Sequence, residues 1–210
     1  MRLKKKRSDL SKLCVIIDCG ILSEKKAVSV ARDAVSAGCD MLQLRLKDID
    51  TLMGIKIARA LKKVALRRNI PLVINDRAEV ALAIGAHGLH IGRGDITAEL
   101  AGRILEKGSI IGISASNMPE ARAARKMGAD YMGVGPIFKT PIKRLTKPTG
   151  VEVLKKIKSL GVPIFAIGGI ALGNVHTLVS NGFRNIAVIR AVLEAKDPFK
   201  ATLSIKKALS

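Results

Sequence analysis

Amide and cationic side chains alternate with leucines in the segment 41–47, which reads Met-Leu-Gln-Leu-Arg-Leu-Lys. In a β-strand successive side chains point to opposite faces, so Gln43, Arg45 and Lys47 share one face and the three leucines share the other. A cation enclosed by protein requires a partner of opposite charge. We therefore predict an anion-binding role for Gln43 and Arg45, while Lys47 is equally compatible with a solvated strand end.

Two aspartates stand at the ends of the next two apolar segments. Asp76 follows Ile74-Asn75, and Asp95 lies a few residues beyond Ile91. If these segments are neighbouring strands, about 4.8 Å apart, the two carboxylates converge on one hard cation. Two carboxylates together with substrate phosphate oxygens are a common way to hold Mg²⁺. The alternative is that each aspartate caps the helix that follows it.

Two further regions favour phosphate binding. The long stretch 133–150 is typical either of a lid over a site or of a solvated loop. The cations on it and just after it are Lys139, Lys143, Arg144, Lys147 and Lys155. Gly168-Gly169 and Ile189-Arg190 end two later apolar runs. Turns that expose backbone N–H groups after the last two strands of a barrel form a phosphate cradle.

The elements that carry these residues repeat along the chain. A helix-like stretch, a glycine and a short apolar run follow one another four times, at Gly38, Gly85, Gly128 and Gly182. Each glycine suits the left-handed residue that ends a helix. The spacing is about twice that of a strand–helix unit, so further strands are expected between these runs. They are the segments Cys14–Asp18, Pro71–Asn75, Ile110–Ser114 and Pro163–Ile167.

Eight strands alternating with helices predict an α/β fold, a single-domain (β/α)8 TIM barrel over residues 1–210, with residues 1–12 as a basic N-terminal extension. The alternative is a doubly wound open sheet, although no G-x-G-x-x-G motif follows the first strand. Strands rich in Val, Ile and Leu fit burial on both faces. Helical periodicity predicts three buried faces, namely Ile57/Leu61/Val64, Ile96/Leu100/Ile104 and Val151/Leu154/Ile157.

Composition narrows the partners of such a barrel. The chain has 210 residues, with 37 Lys and Arg against 17 Asp and Glu, a net charge of +20, and 2% aromatic residues. The charge favours anionic partners such as phosphorylated metabolites. The scarcity of aromatic rings disfavours single-stranded nucleic acid, without excluding contact with a duplex backbone.

The apolar segments and the cysteines indicate the cellular compartment that we expect for the protein. No apolar stretch reaches the roughly 20 residues that cross a bilayer, and no signal-peptide pattern follows the basic N-terminus. We therefore expect no membrane partner. The three cysteines lack metal-binding spacing and indicate buried free thiols in a cytoplasmic protein.

Together the motifs resemble the thiamine-phosphate synthase family, from about Cys14 to Pro198. The matching segments are Gln43-Leu44-Arg45-Leu46-Lys47, Asn75-Asp76-Arg77, His90-Ile91-Gly92 with Asp95, Gly112-Ile113-Ser114, residues 130–138 followed by Thr140 and Lys143, and residues 166–170. This family joins a pyrimidine that bears a diphosphate to a thiazole phosphate, releases pyrophosphate and requires Mg²⁺. The resemblance implies the same reaction, cofactor and small-molecule partners for this chain.

The resemblance also implies roles for individual residues. Asp76 and Asp95 would hold Mg²⁺. The pyrimidine diphosphate would be held by Gln43, Leu44, Arg45, Leu46, Lys47, Asn75, Ser114 and Lys143, of which Arg45, Lys47, Ser114 and Lys143 would be catalytic. The thiazole phosphate would be held by Thr140, Pro141, Ile142, Gly169, Ile189 and Arg190. Catalysis of this kind needs positioning and electrostatics rather than a protein nucleophile.

Several positions depart from the family pattern. Leu46 stands where a Glu is usual, and Arg93 and Gly94 replace a Gln and an acid beside the second metal ligand. Ile142 replaces a hydroxyl residue and Arg190 a Ser at the thiazole phosphate. Two alternatives therefore stay open: a thiazole tautomerase-like relative with the same barrel, and a non-catalytic barrel that binds phosphate or nucleic acid. The sequence also leaves open whether the chain forms a homo-oligomer.

Overall fold

The computed structural model describes residues 12–92, 94–141 and 147–210. Within them eight parallel strands form a closed barrel in chain order. The strands are β1 (Leu13–Asp18), β2 (Met41–Arg45), β3 (Leu72–Asn75), β4 (Gly88–Ile91), β5 (Ile110–Ala115), β6 (Tyr131–Val134), β7 (Ile164–Ile167) and β8 (Ile186–Val188). The helices are α1 (Glu24–Ser36), α2 (Thr51–Leu66), α3 (Ala78–Ile84), α4 (Ala98–Ile104), α5 (Met118–Lys126), α6 (Gly150–Lys158), α7 (Val175–Ser180), α8 (Arg190–Leu193) and α9 (Pro198–Ala208). The predicted TIM barrel is confirmed, and the open sheet is excluded because β8 pairs with β1.

The strand register brings several candidate site residues to one level of the barrel. Arg45, the last residue of β2, pairs with Asp18 of β1 on one side and with Asn75 of β3 on the other. Asn75 pairs in turn with His90 of β4. Because all strands are parallel, their carboxyl ends lie at the same end of the barrel, and the residues that follow them share one rim.

Hydrophobic side chains pack in two groups, one on each side of the strands. The outer group fills the space between strands and helices and includes Leu42, Leu44 and Leu46. A smaller group lies inside the barrel and consists of Cys14, Ile16, Met41, Val73, Tyr131, Phe165 and Ala187. The alternation predicted for β2 is therefore confirmed, since its leucines face the helices.

The predicted helix faces are confirmed in α2 and α6 but wrong in α4. In α2 all three predicted residues are buried, and in α6 Leu154 and Ile157 are buried. In α4 Leu100 and Ile104 are 46% and 39% exposed, whereas the side chains that pack inward are Ala98 and Ala101. Ala98 and Ala101 lie on a different face of the helix from Leu100 and Ile104, and both faces have helical spacing, so periodicity alone did not distinguish them.

The helix ends and the cysteines agree with the sequence. Gly38, Gly85, Gly128 and Gly182 have φ values of 92°, 57°, 80° and 77°, the left-handed region that glycine enters without a steric penalty. All three cysteines are free and buried. Among the described helices, none has both the length and the apolar character needed to cross a membrane.

Candidate active site

A cavity of about 810 Å³ opens at the carboxyl ends of the strands. Its polar lining comes from β2 to β5 and the loops after them, and includes Gln43, Arg45, Asn75, Asp76, His90, Asp95 and Ser114. Hydrophobic side chains from the barrel interior, such as Met41 and Phe165, form its floor. A concave site of this size, with a few convergent polar groups, is suited to a small-molecule ligand.

Asp76 and Asp95 approach each other beside Gly92. A Cβ added at Gly92 would lie 3.4 Å from Asp76 Oδ1 and 3.1 Å from Asp95 Oδ2, so the glycine leaves the space near both carboxyls open. Burial, a hydrogen bond with Asp95 and the charge of Asp95 raise the pKa of Asp76 to about 7, although Arg45 and Asn75 act in the opposite direction. Two neighbouring carboxylates repel each other, and a divalent cation bound between them would relieve this repulsion.

Neither aspartate caps the helix that follows it. Helix α3 begins without a side-chain cap, and α4 is capped by Thr97. Asp95 Oδ2 instead accepts a hydrogen bond from the backbone N–H of Gly92 at 2.6 Å. Asp76 has a φ of 65°, a left-handed conformation that is costly for a residue with a side chain. The helix-cap alternative is therefore excluded, and both carboxyls are available to the cavity.

Arg45 is held in place by a buried aspartate. Its Nη1 donates to Asp18 Oδ2 at 2.8 Å, and Asp18 is only 2% exposed. Asp18 Oδ1 also accepts the backbone N–H of Gly20 at 2.9 Å, which fixes the orientation of the carboxylate. The guanidinium also lies near enough to Asp76 to stabilise its charged form. Arg45 is thus a fixed positive charge between β1 and β3.

A chain of side-chain hydrogen bonds crosses the floor of the cavity. Gln43 Nε2 donates to the hydroxyl of Tyr131 at 3.2 Å, and that hydroxyl lies 3.0 Å from His90 Nδ1. On the other side of the ring, His90 Nε2 lies 3.0 Å from Ser114 Oγ. Tyr131 also contacts Phe165 edge-on, with ring centroids 5.3 Å apart. This chain connects β2, β6, β4 and β5 inside the barrel.

A second, smaller cavity of about 160 Å³ adjoins the first at the ends of β7 and β8. Gly169 lines it with a φ of 67°, and a Cβ there would lie 2.5 Å from the carbonyl oxygen of Lys139, so only glycine fits. Asn174 fixes this turn, because its Nδ2 donates to the carbonyl of Gly169 at 2.8 Å and its Oδ1 accepts the N–H of Ala171 at 2.9 Å. Thr140 lines both cavities.

Arg190 borders the smaller cavity at the start of α8. Its Nη2 lies 2.5 Å from Glu194 Oε1, and both side chains are more than 40% exposed. The hydrogen bond with Glu194 raises the pKa of the guanidinium. An exposed pair of this kind is worth little in stability, so the guanidinium can exchange partners at low cost.

The long segment after β6 is partly outside the described residues. Its ends are described: Lys139 and Lys147 are exposed, and the N–H of Thr149 donates to the carbonyl of Pro136 at 2.8 Å. Lys155 lies on α6 and pairs with Glu152. Two groups of residues named from the sequence fall outside the described ranges: residues 1–11 of the predicted N-terminal extension, and Arg93, Ile142, Lys143 and Arg144.

Three members of the predicted substrate-binding segment have side chains that lie outside both cavities, and their predicted role stays a prediction. Leu44 and Leu46 are buried in the outer hydrophobic group, because strand alternation turns them toward the helices, so their side chains do not reach the cavity. Lys47 lies beyond the end of β2, is exposed and does not line either cavity. Of this segment, Gln43 and Arg45 line the larger cavity. Pro141, Ile189 and Arg190 line the smaller one.

Sequence reasoning missed Asp18, Tyr131, His90 and Glu194 as contributors to the site. Asp18 could have been found as the only acidic residue at the end of the first apolar run, one strand away from an inward cation. Tyr131 carried a signal as well, because it is the single tyrosine of a chain with few aromatic rings. The pairing of Arg190 with Glu194 fits the helical i, i+4 spacing.

Comparison with known proteins decides the family. The sequence profile described as thiamine monophosphate synthase matches residues 13–192. The chain belongs to this family. A thiamine-phosphate synthase of Clostridium tetani is 39% identical over 190 residues, 90% of this chain and 91% of the relative. A thiamine-phosphate synthase of Methanobrevibacter smithii is 37% identical over 185 residues, 88% of each chain. This thiamine monophosphate synthase family member is accordingly a transferase of thiamine biosynthesis.

Solved structures agree with the fold and the family. The thiamine phosphate pyrophosphorylase from Pyrococcus furiosus superposes with a TM-score of 0.87 at 36% identity, covering 97% of this chain and 96% of its own. A (S)-3-O-geranylgeranylglyceryl phosphate synthase from Thermoplasma acidophilum superposes with a TM-score of 0.75 at 15% identity. This second likeness concerns the barrel fold alone.

Proposed function

We propose that the chain joins 4-amino-2-methyl-5-(diphosphomethyl)pyrimidine to 4-methyl-5-(2-phosphoethyl)thiazole, giving thiamine phosphate and pyrophosphate with the help of Mg²⁺. The observation that carries this proposal is the rim of the larger cavity, where the neighbouring carboxyls of Asp76 and Asp95 lie beside Gly92 and Arg45 is held nearby by Asp18. A smaller cavity with a backbone-lined turn adjoins it. Two anionic substrates therefore have adjacent places, one rich in side-chain charge and one in backbone donors.

The pyrimidine diphosphate occupies the larger cavity in this proposal. Gln43, Asn75 and Ser114 line it with hydrogen-bonding groups, and Arg45 supplies a positive charge that the ion pair with Asp18 holds at the rim. Lys143 of the following loop is proposed as a further cation. Asp76 and Asp95 are suited to Mg²⁺ because they are close together, and the raised pKa of Asp76 shows that its negative charge is destabilised where a cation would stabilise it. When bound, Mg²⁺ would neutralise charge that develops on the diphosphate.

The reaction follows from the charges. The bond between the methylene carbon and the diphosphate oxygen breaks, and both electrons leave with the diphosphate. The electron-rich pyrimidine ring stabilises the resulting carbocation, and the lone pair of the thiazole nitrogen forms the new C–N bond. Arg45 and Ser114 stabilise the departing anion, and the cavity holds the two reactants in contact. No protein nucleophile is required.

The thiazole phosphate is proposed to bind in the smaller cavity. Gly169 allows the backbone to approach the ligand, and Thr140 and Pro141 border the same space. Arg190 stands where a hydroxyl would be expected from the family resemblance. Its exposed guanidinium would replace that contact with a charge-assisted hydrogen bond to the phosphate.

The test is a measurement of pyrophosphate release with both substrates. We expect release that requires the pyrimidine diphosphate, the thiazole phosphate and Mg²⁺ together, and formation of thiamine phosphate in equal amount. Isomerisation of a thiazole carboxylate phosphate without pyrophosphate release would support the tautomerase alternative instead. Substrate binding without turnover, or binding to duplex DNA that falls steeply with salt, would support the non-catalytic alternative.

A further inference from the structure

Tyr131 and His90 are buried polar groups with no part in the reaction described above. Tyr131 is 1% exposed and His90 is 7% exposed. Both lie in the middle of the hydrogen-bond chain that starts at Gln43 and ends at Ser114. The two residues at its ends are among those proposed to contact the pyrimidine diphosphate, so the order of donors along the chain determines what those ends offer to a ligand.

The direction of the hydrogen bonds follows from the chemistry of each group. An amide nitrogen only donates, so the Tyr131 hydroxyl accepts from Gln43 Nε2 at 3.2 Å. The Tyr131 proton is retained because burial raises the pKa of the phenol well above its ordinary value. That proton is therefore donated to His90 Nδ1, 3.0 Å away. A neutral imidazole that accepts at Nδ1 carries its proton on Nε2, and this proton is donated to Ser114 Oγ.

This order gives the two ends of the chain opposite roles. With its nitrogen bonded to Tyr131, Gln43 has its carbonyl oxygen left for a ligand. The side-chain hydrogen bond of Gln43 is made by Nε2 and not by this oxygen. Because no fully enclosed side-chain nitrogen or oxygen in the described residues lacks a partner, the oxygen is accessible from the cavity that Gln43 lines. Ser114 Oγ accepts from His90, so its own proton is left to donate. We propose that Tyr131 and His90 are positioning residues that make Gln43 an acceptor and Ser114 a donor toward the substrate.

The proposal deepens the proposed function, on which its substrate assignment rests. An acceptor at Gln43 selects a ring that carries an N–H donor, and a donor at Ser114 selects an anionic or lone-pair oxygen or nitrogen. A ligand with an exocyclic amino group and a diphosphate meets both requirements. A ligand with these groups reversed would face donor against donor at Ser114 and acceptor against acceptor at Gln43, which costs free energy in a desolvated site.

Packing holds the two rings in this arrangement. The rings of His90 and Tyr131 are stacked, with centroids 5.4 Å apart. A Cβ at Gly112 would lie 2.2 Å from Tyr131 Cζ, and a Cβ at Gly133 would lie 3.0 Å from His90 Cε1. The glycines of β5 and β6 therefore make room for the two rings inside the barrel.

The first test reads the proton position directly and does not require activity. Nitrogen NMR of protein labelled in histidine, at about pH 8 where an ordinary imidazole is neutral, distinguishes the two tautomers. His90→Gln identifies the signals of His90 among those of the three histidines. We expect the Nε2–H tautomer in the wild type and a mixture of tautomers in Tyr131→Phe. An Nδ1–H tautomer in the wild type would overturn the proposal.

The second test separates positioning from packing by steady-state kinetics. Tyr131→Phe keeps the ring but removes one buried hydroxyl, and we expect KM for the pyrimidine diphosphate to rise roughly threefold to tenfold while KM for the thiazole phosphate is unchanged. Thr202→Val is the matched control, because it removes a buried hydroxyl that donates to the carbonyl of Pro198 at 2.8 Å in α9, away from both cavities. It should lower the melting temperature without changing either KM.

The outcomes distinguish this proposal from the proposed function. Equal KM values in wild type and Tyr131→Phe, in an enzyme that makes thiamine phosphate, would overturn the positioning role alone. A parallel rise in both KM values in Tyr131→Phe would show a general packing effect and would also overturn it. Failure of the wild type to release pyrophosphate would refute the proposed function, while the tautomer measurement would still decide the order of donors in the chain.

Discussion

Substituting Asp76 with Asn is expected to make the metal-free protein more stable and less active. The carboxyl of Asp76 has a pKa of about 7 in the folded chain against an ordinary value of 3.8. Between these values the folded state binds a proton that the unfolded state has released. The free energy of unfolding therefore falls as the pH rises from about 4 to about 7, and the protonated form's advantage is lost above that.

The size of the effect follows from the same pKa. A rise from 3.8 to about 7 corresponds to about 4 kcal/mol. Protein atoms surround the carboxyl closely enough to raise its pKa, but Asp76 as a whole residue is exposed to solvent. Solvent screening therefore reduces this energy by about half, to about 2 kcal/mol. Asn is neutral at every pH used, and it tolerates the φ of 65° at this position. The variant should thus gain about 1–2 kcal/mol over the wild type between about pH 5 and about pH 8.

The assay is urea unfolding of wild type and Asp76→Asn in EDTA at several pH values. Comparing the two proteins at each pH removes the contribution of the overall net charge of +20, which both nearly share. Pyrophosphate release in Mg²⁺ should fall by roughly 100-fold or more in the variant, as for loss of a group that stabilises transition-state charge. A stability difference that is the same at all pH values would refute the raised pKa of Asp76, whatever the effect on activity.

Four further outcomes are expected. Asp18→Asn, which frees Arg45 from its charged partner, should raise KM for the pyrimidine diphosphate roughly threefold to tenfold and lower stability by about 1–2 kcal/mol; an unchanged KM would show that Arg45 needs no fixing. Arg190→Ser should raise KM for the thiazole phosphate and Glu194→Gln should lower it, each by roughly threefold; if neither changes, Arg190 lies outside the site. Gly169→Ala should abolish thiazole phosphate binding and cost about 2 kcal/mol in chemical denaturation, and wild-type binding would contradict the backbone cradle. The three cysteine thiols, whose pKa values are raised mainly by burial, should resist iodoacetamide at about pH 8 in the native state and react on unfolding, as mass spectrometry would reveal.

The fold was predictable from the sequence because its signals are local. The four left-handed glycines, the dense apolar runs and the alternation in β2 each depend on neighbouring residues only. Helix α4 is the element for which local signals did not predict the buried face. Two apolar sets with helical spacing compete there, and the set that contains Ala98 and Ala101 packs inward. Which of the two faces is buried depends on how closely the helix approaches the strands, and the sequence of the helix alone does not specify that distance.

The site was predictable only in part, because several of its interactions join distant residues. The alternation in β2 predicted that Arg45 lies at the barrel mouth. Its partner Asp18 lies on β1, and the pairing of the two residues is known only from the register of the two strands. The link between His90 and Tyr131 joins residues 41 positions apart. A resemblance to a family assigns roles to a continuous segment and so included Leu44 and Leu46, whereas the pleat of the strand turns both away from the cavity.

Binding of radiolabelled pyrophosphate tests the central claim most directly, namely that Asp76 and Asp95 hold a divalent cation that neutralises a diphosphate. Equilibrium binding is measured in Mg²⁺ and in EDTA, with wild type and with Asp95→Asn, which keeps an oxygen that can accept the N–H of Gly92. Mg²⁺ should tighten binding to the wild type at least about tenfold, and the variant should lose this gain. Equal affinity in Mg²⁺ and EDTA, or a variant that keeps the full gain, would contradict the account.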